Sequence, residues 1–352
     1  MVRLTEKDKL VFYALTRWPE LNDTELSDKT GIKRSTITAI KNKLEKNDFY
    51  TTIKVPDLEK LGCELLTVRY GSFNPMSTYE LRQKYSSTQK FPEVIFKRTT
   101  DRQRIALNAA KNFTEVKKYI DYSNKVYGEE GFLTDEGIIH VLFPLRVSKV
   151  LRFFDYAPLL RRLFDLHAEK EEPYDSTEAN KEETELNENE KMVLYATMKY
   201  PKFNDNEIAK KVSMTRQFVS AARKKFEKEG LVRTARMPNL EALGFQLLVM
   251  MHVMINPKAS VSAMKSGIQK ILSQGAHIFY ALGNLEFVLI SAYRDYPEYN
   301  RTLDEIVGFY KTHDLLFKEP VARIFVTNDI KSHVDGRFAP IVKKILGINK
   351  EV

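Results

Sequence analysis

The chain has 352 residues, 43% of them hydrophobic and 11% aromatic, which is more than one ordinary domain needs and too apolar for a disordered chain. Lysine and arginine number 56 against 47 acidic residues, a net +9 that favours a polyanionic partner. One cysteine, Cys63, rules out an intramolecular disulfide framework, and six scattered histidines form no zinc-binding spacing, so neither metal nor cofactor is expected.

In chain order, the first sixty residues predict helices. Leu10, Tyr13 and Ala14 share one face, Leu26 anchors a second helix, and Ile37, Ile40 and Leu44 a third. Thr5 stands three residues before Asp8 and Asn22 three before Glu25, each pair a capping box. The turn Gly31-Ile32-Lys33 then joins the second and third helices at helix-turn-helix spacing. With the apolar residues turned inward, Arg34, Ser35, Thr36, Thr38, Lys41 and Asn42 lie outward. Asn suits an adenine edge, Arg a guanine, hydroxyls and Lys the phosphates. The extended segment "FYTTIKVP" follows, with Lys54 placed for a small wing to meet the backbone.

After Gly62 the period turns to that of strands: "CELLTVRYGSF", "EVIFKRT", "RIALNAAKNF" and "GIIHVLFPLR", with amphipathic helices after the first and third. The order β-α-β-β-α-β predicts a ferredoxin-like antiparallel sheet with helices on one face, closed by a short helix near Pro158. Residues 168–186 follow as a linker. From Glu169 to Glu190 ten acids face two lysines, so the rest of the chain carries an excess of about seventeen positive charges. A solvated tether is the plain reading of that stretch, with a DNA-mimicking arm as the alternative.

Shifted by 182 residues, the sequence from Leu4 falls on that from Leu186, and "PDLEKLGCELL" falls on "PNLEALGFQLL". About a third of the first seventy-odd aligned positions are identical without a gap, which indicates a tandem duplication. The second copy repeats the helical pattern with Met192, Tyr195, Ala196 and Ile208, the caps Asn187 with Glu190 and Asn204 with Glu207, and the strands "FQLLVMMHVMI", "HIFYALG", "EFVLISAYRD" and "VARIFVTND". Its outward recognition set is Arg216, Gln217, Phe218, Ser220, Arg223 and Lys224, with Arg233 and Arg236 on the wing segment "LVRTARMP". The expected domains are 1–60 and 187–242, both winged helix-turn-helix, and 61–167 and 243–352, both ferredoxin-like. The fold class is α+β.

A helix-turn-helix ending in "KLEKNDFYTTIKVPDLEKLG" or "KFEKEGLVRTARMPNLEALG" and running into such a sheet resembles the Lrp/AsnC (feast/famine) family of prokaryotic transcriptional regulators. The resemblance implies sequence-specific binding to double-stranded DNA, subunit pairing through the sheets, and an effector near the turn between the second and third strands. Here that turn holds Gly283 and Asn284, and Asp101-Arg102 in the first copy, where the family's usual Gly-Asp pair is absent. It also implies a Ser or Thr cap on the recognition helix, which Thr215 supplies and Lys33 does not.

One chain is then expected to do the work of the family's dimer by intramolecular pairing of its two copies, with further homodimerisation left open. A nonspecific chromatin-like DNA binder is an alternative. So is an enzyme like the siroheme decarboxylases, for which His140, His252, His277, Arg98 and Arg102 supply no clustered motif; the expectation is of a protein that is not an enzyme. An RNA-binding sheet is weaker still, the aromatics lacking the spacing of adjacent RNA-stacking strands. With no apolar run long enough to span a membrane and no signal-peptide pattern, no membrane partner and a cytoplasmic location are expected.

Overall fold

The computed structural model describes residues 3–85, 93–167 and 182–352. The larger part of the expected linker, 168–181, lies outside them. The described part of the first half comprises α1 (Glu6–Arg17), α2 (Asp23–Thr30), α3 (Arg34–Lys46), β1 (Tyr50–Pro56), β2 (Leu65–Phe73), α4 (Tyr79–Lys84), β3 (Val94–Thr99), β4 (Gln103–Ala110), α5 (Phe113–Glu129), β5 (Leu133–Pro144), β6 (Lys149–Phe153) and α6 (Ala157–Leu163). The second half comprises α7 (Glu188–Lys199), α8 (Asp205–Val212), α9 (Arg216–Lys228), β7 (Val232–Pro238), β8 (Leu247–Met254), α10 (Val261–Leu272), β9 (His277–Leu282), β10 (Glu286–Tyr293), α11 (Tyr296–Thr312), β11 (Val321–Val326), β12 (Ser332–Val334) and α12 (Ala339–Ile345). Helix-turn-helix segments and ferredoxin-like sheets are present in both halves.

The chain divides into two compact units, each assembled from three stretches. The first comprises Met1–Thr52, Lys149–Ala179 and Ala235–Asn328. Its helix-turn-helix, α1 to α3, closes around Phe12, Leu15, Leu26, Ile37 and Leu44, with Ala157, Leu160 and Phe164 from the α6 region completing the core. Capping boxes at Thr5 and Asn22 start α1 and α2. Gly31 ends α2 at φ +69°, where a side chain would be strained. The sheet runs β11-β8-β10-β9-β6, all antiparallel. Its helix-facing core, with α10 and α11, is apolar: Met251, Val253, Leu282, Phe287, Leu289 and Ile306. Strand β6 is an addition to the expected four, and Arg152 locks it in place by donating to the carbonyls of Leu272, Gln274 and His277 at 2.5, 3.2 and 3.2 Å.

The second unit comprises Ile53–Ser148, Asn180–Thr234 and Asp329–Val352. Its sheet runs β12-β3-β4-β2-β5, so the short strand β12, also unexpected, pairs with β3. Its helix-turn-helix is α7 to α9, with capping boxes at Asn187 and Asn204 and a core of Leu194, Ile208, Val219 and Phe226. Helix α12 packs on α7, and Glu351 takes hydrogen bonds from Tyr195 Oη and Lys199 Nζ, both at 2.8 Å. Just after the described structure resumes, Thr184 N–H donates to Lys60 O at 2.8 Å.

The segments expected to be wings, β1 and β7, pair with each other as a two-stranded sheet. Asn239 donates to Phe49 O in the first unit, and Asp57 to Leu231 O in the second.

Gly71 on β2 marks a close approach to β5. A Cβ there would stand 2.6 Å from Gly137 O and 3.2 Å from Ile138 Cα, both backbone atoms that cannot rotate away. Gly71→Ala is therefore expected to cost about 1–3 kcal/mol, read as a lower urea midpoint with an unchanged m-value. An unchanged midpoint would show that β5 moves aside freely.

Candidate functional sites

The recognition helices carry the first candidate surface. On α3, Arg34, Ser35, Thr38 and Asn42 are exposed and Thr36 and Lys41 half-buried, while Ile37, Ile40 and Leu44 are buried, as the spacing predicts. On α9, Arg216, Gln217 and Lys224 are exposed, and Phe218, Ser220 and Arg223 half-buried. Thr215 Oγ1 accepts from Phe218 N–H at 3.3 Å and caps α9, whereas Lys33 gives α3 no side-chain cap.

Some of these groups are engaged within their own unit. Thr38 Oγ1 donates to Asp23 at 2.6 Å and Lys41 stands 3.7 Å from the same carboxylate. The corresponding Arg223 reaches Asp205 at 2.8 Å and Phe203 O at 3.1 Å. These ties brace the second helix of each motif against the third.

The wing residues divide. Arg233 is exposed. Lys54 is buried, donating to Thr234 Oγ1 at 2.8 Å with Glu227 at 3.8 Å. Arg236 is buried too, donating to the carbonyls of Leu15 and Pro19 at 3.1 and 3.0 Å. The expectation that Lys54 and Arg236 meet a DNA backbone is corrected accordingly: pairing of β1 with β7 turns both side chains inward, where they satisfy protein oxygens.

The expected effector turn is a tight hairpin between β9 and β10, with Gly283 N–H donating to Glu286 O at 2.8 Å and Asn284 exposed. His252 Nε2 lies 2.9 Å from Glu286. His277 is wholly buried with Nδ1 2.7 Å from Ser291 Oγ; burial, then Arg152 and Arg162, push its pKa down to about 3. Such an imidazole stays neutral when folded and takes up a proton below about pH 6.5 when unfolded. Stability is thus expected to fall as pH drops below 6.5, with a slope of about 1.4 kcal/mol per pH unit from this group. Urea unfolding at pH 7 and pH 5 measures it, and His277→Asn should flatten the fall. Cys63 is buried, its thiol pushed up to about 12 by burial and then by Asp57, and it behaves as a small apolar residue.

Sequence reasoning missed a second candidate, a pocket in the second unit between the β2-β3-β4 face and helices α4 and α5. Across the sheet, His140 stands opposite Arg69, Arg69 opposite Ala106, and Ala106 opposite Lys97, with Arg104 and Thr99 paired one step along. Arg82 reaches in from α4, and Tyr119 and Tyr127 from α5, around a space of about 410 Å³ counted to its open mouth. Arg69, Arg82 and Arg104 are 2%, 3% and 5% exposed. Guanidinium groups at such depth need partners.

Some are present. Arg69 Nε donates to Asn108 Oδ1 at 2.9 Å and its guanidinium lies 3.9 Å over the Tyr119 ring. Arg104 Nη1 donates to Tyr127 Oη at 3.0 Å. Arg82 lies 4.0 Å over Phe73 and donates to the carbonyls of Ser77, Thr100 and Asp101. Burial lowers Arg69 to about 10, and burial followed by Arg104 lowers Lys97 to about 8. His140 is held down at about 3 by burial, then by Arg69 and Arg104. No carboxylate among the described residues lines the pocket. Among the described residues, no three His, Cys, Asp or Glu side chains gather as a metal site, and no helix is long and apolar enough to cross a membrane.

No family model matches the chain, and no curated protein does. Among solved structures, the siroheme decarboxylase NirDL aligns over 97% of this chain and 99% of its own, with a TM-score of 0.51 at 12% identity. The same enzyme in complex with an iron-uroporphyrin III analogue aligns over 98% and 100%, at 0.50 and 12%. A transcriptional regulator of Neisseria meningitidis solved with L-Met covers 43% of this chain and 96% of its own, with a TM-score of 0.36 and 14% identity. AsnC of E. coli covers 42% and 97%, at 0.34 and 16%. The fold is thus shared from end to end with a known enzyme. That finding overturns the expectation that the chain is not an enzyme: the lack of a clustered sequence motif does not exclude catalysis on a scaffold that a known enzyme shares.

Proposed function

We propose that the chain is a double-stranded-DNA-binding transcriptional regulator, with α3 and α9 as major-groove readers. The supporting observation is the pair of helix-turn-helix motifs whose third helices present Arg34, Ser35 and Asn42 in one case and Arg216, Gln217 and Lys224 in the other, all exposed. These are groups that pair with base edges and phosphates. Arg233 adds a cation beyond α9. The 182-residue repeat supports a tandem duplication in which one chain serves as a pseudo-dimer addressing two half-sites. Because Ser35 and Thr36 correspond to Gln217 and Phe218, the half-sites should differ. Footprinting at single-chain stoichiometry is expected to give an asymmetric site, and a strict palindrome would contradict the pseudo-dimer.

A second reading, an enzyme acting on a carboxylate-bearing tetrapyrrole, is favoured by the full-length likeness to NirDL. Titration with an iron porphyrin bearing carboxylate side chains separates the two readings. A saturable Soret shift at one porphyrin per chain supports the enzyme, and its absence removes that reading.

A further inference from the structure

We infer that the cation-lined pocket of the second unit binds a compact polyanion, a small molecule carrying at least two carboxylate or phosphate groups. The helix-facing side of a ferredoxin-like sheet is ordinarily apolar core, and in the first unit it is. The register places Met251 opposite Leu289 and Leu289 opposite Tyr280, as it places Arg69 opposite Ala106 and Ala106 opposite Lys97. Phe287 likewise takes the position of Arg104, opposite Val253 as Arg104 is opposite Gly71. Three cations of the second unit therefore occupy positions that a Met, a Tyr and a Phe fill in the other sheet, where they close an apolar core.

A fold does not need cations at those positions, and burying them is costly without counter-charge. Aromatic faces and carbonyls offset part of that cost. They leave Arg69 Nη1, Arg82 Nε and both Nε and Nη2 of Arg104 with no hydrogen-bond partner among the described residues. The segment 86–92 between α4 and β3, "SSTQKFP", contains no acid that supplies the missing charge. Guanidinium forks suit the paired oxygens of carboxylate and phosphate, and Lys97 adds a point charge.

The test is calorimetric titration of the full-length chain with citrate and with pyrophosphate, with chloride at matched ionic strength as the control. Saturable binding of either polyanion with a Kd below about 1 mM, and none of chloride, is expected. Citrate alone would assign the source as a polycarboxylate, and pyrophosphate alone as a phosphorylated compound. The double variant R69M/R104F, which installs the apolar pattern of the other sheet, should weaken binding at least about a hundredfold. Arg69→Lys, which keeps the charge and loses the fork, should weaken it about tenfold and serves if the double variant does not fold. No binding of either polyanion, or Arg69→Lys binding as the native chain does, would overturn the inference. The DNA-binding reading does not depend on it, since none of these residues lies on a recognition helix.

Discussion

Replacing Arg216, Gln217 and Lys224 together by alanine should lower affinity for a specific DNA site about a hundredfold or more. It should also flatten the dependence of log Kd on log salt by about two ion equivalents. The three side chains are exposed on α9 and lie outside its core of Val219, Ala222 and Phe226, so the fold should be untouched. Arg216 and Lys224 supply the electrostatic part and Gln217 the base preference, a bidentate contact of this kind contributing about 1–3 kcal/mol of discrimination. Two controls sharpen the result. Lys54→Ala and Arg236→Ala remove cations that serve protein oxygens, so they should lower stability and leave the salt slope unchanged. Thermal melts beside anisotropy titrations separate the two kinds of effect.

Arg152→Ala should destabilise the first unit by about 3 kcal/mol. The side chain is 6% exposed and reaches three backbone carbonyls: Leu272 at the end of α10, Gln274 just beyond it and His277 at the start of β9. Removing it takes charge-assisted hydrogen bonds from three carbonyls, that of His277 buried and those of Leu272 and Gln274 part-buried. It also frees β6, the edge strand that pairs with β9. Urea unfolding is the measure, and a loss under about 1 kcal/mol would show that water reaches those carbonyls.

Local features were the legible ones. Caps at Thr5, Asn22, Asn187, Asn204 and Thr215, the Gly31 turn and the buried stripe of Ile37, Ile40 and Leu44 follow from contacts a few residues apart, and the structure contains all of them. Strands β6 and β12 were not legible. "KVLRF" and "SHV" are short, and what makes them strands is pairing with β9 and β3, far away in sequence. Periodicity also cannot tell a surface cation from a buried one on a paired ribbon, which is why Lys54 and Arg236 read as wing contacts.

The pocket left a signal that the strand pattern concealed. Arg69 sits within the apolar run "LLTVRYGSF" and Arg104 within "RIALNAA". Alignment of the two halves sets Met251 against Arg69, so comparing chemistry at matched strand positions, as well as identity, would have raised the question.

The most direct measurement is fluorescence anisotropy of the full-length chain with a native upstream duplex and with a random duplex, repeated from low to moderate salt. A regulator of this kind should show a steep salt slope and prefer the native fragment about a thousandfold or more. Equal affinity for both duplexes would leave a DNA coater, and no binding to either at moderate salt would contradict the assignment of α3 and α9 as DNA-reading helices.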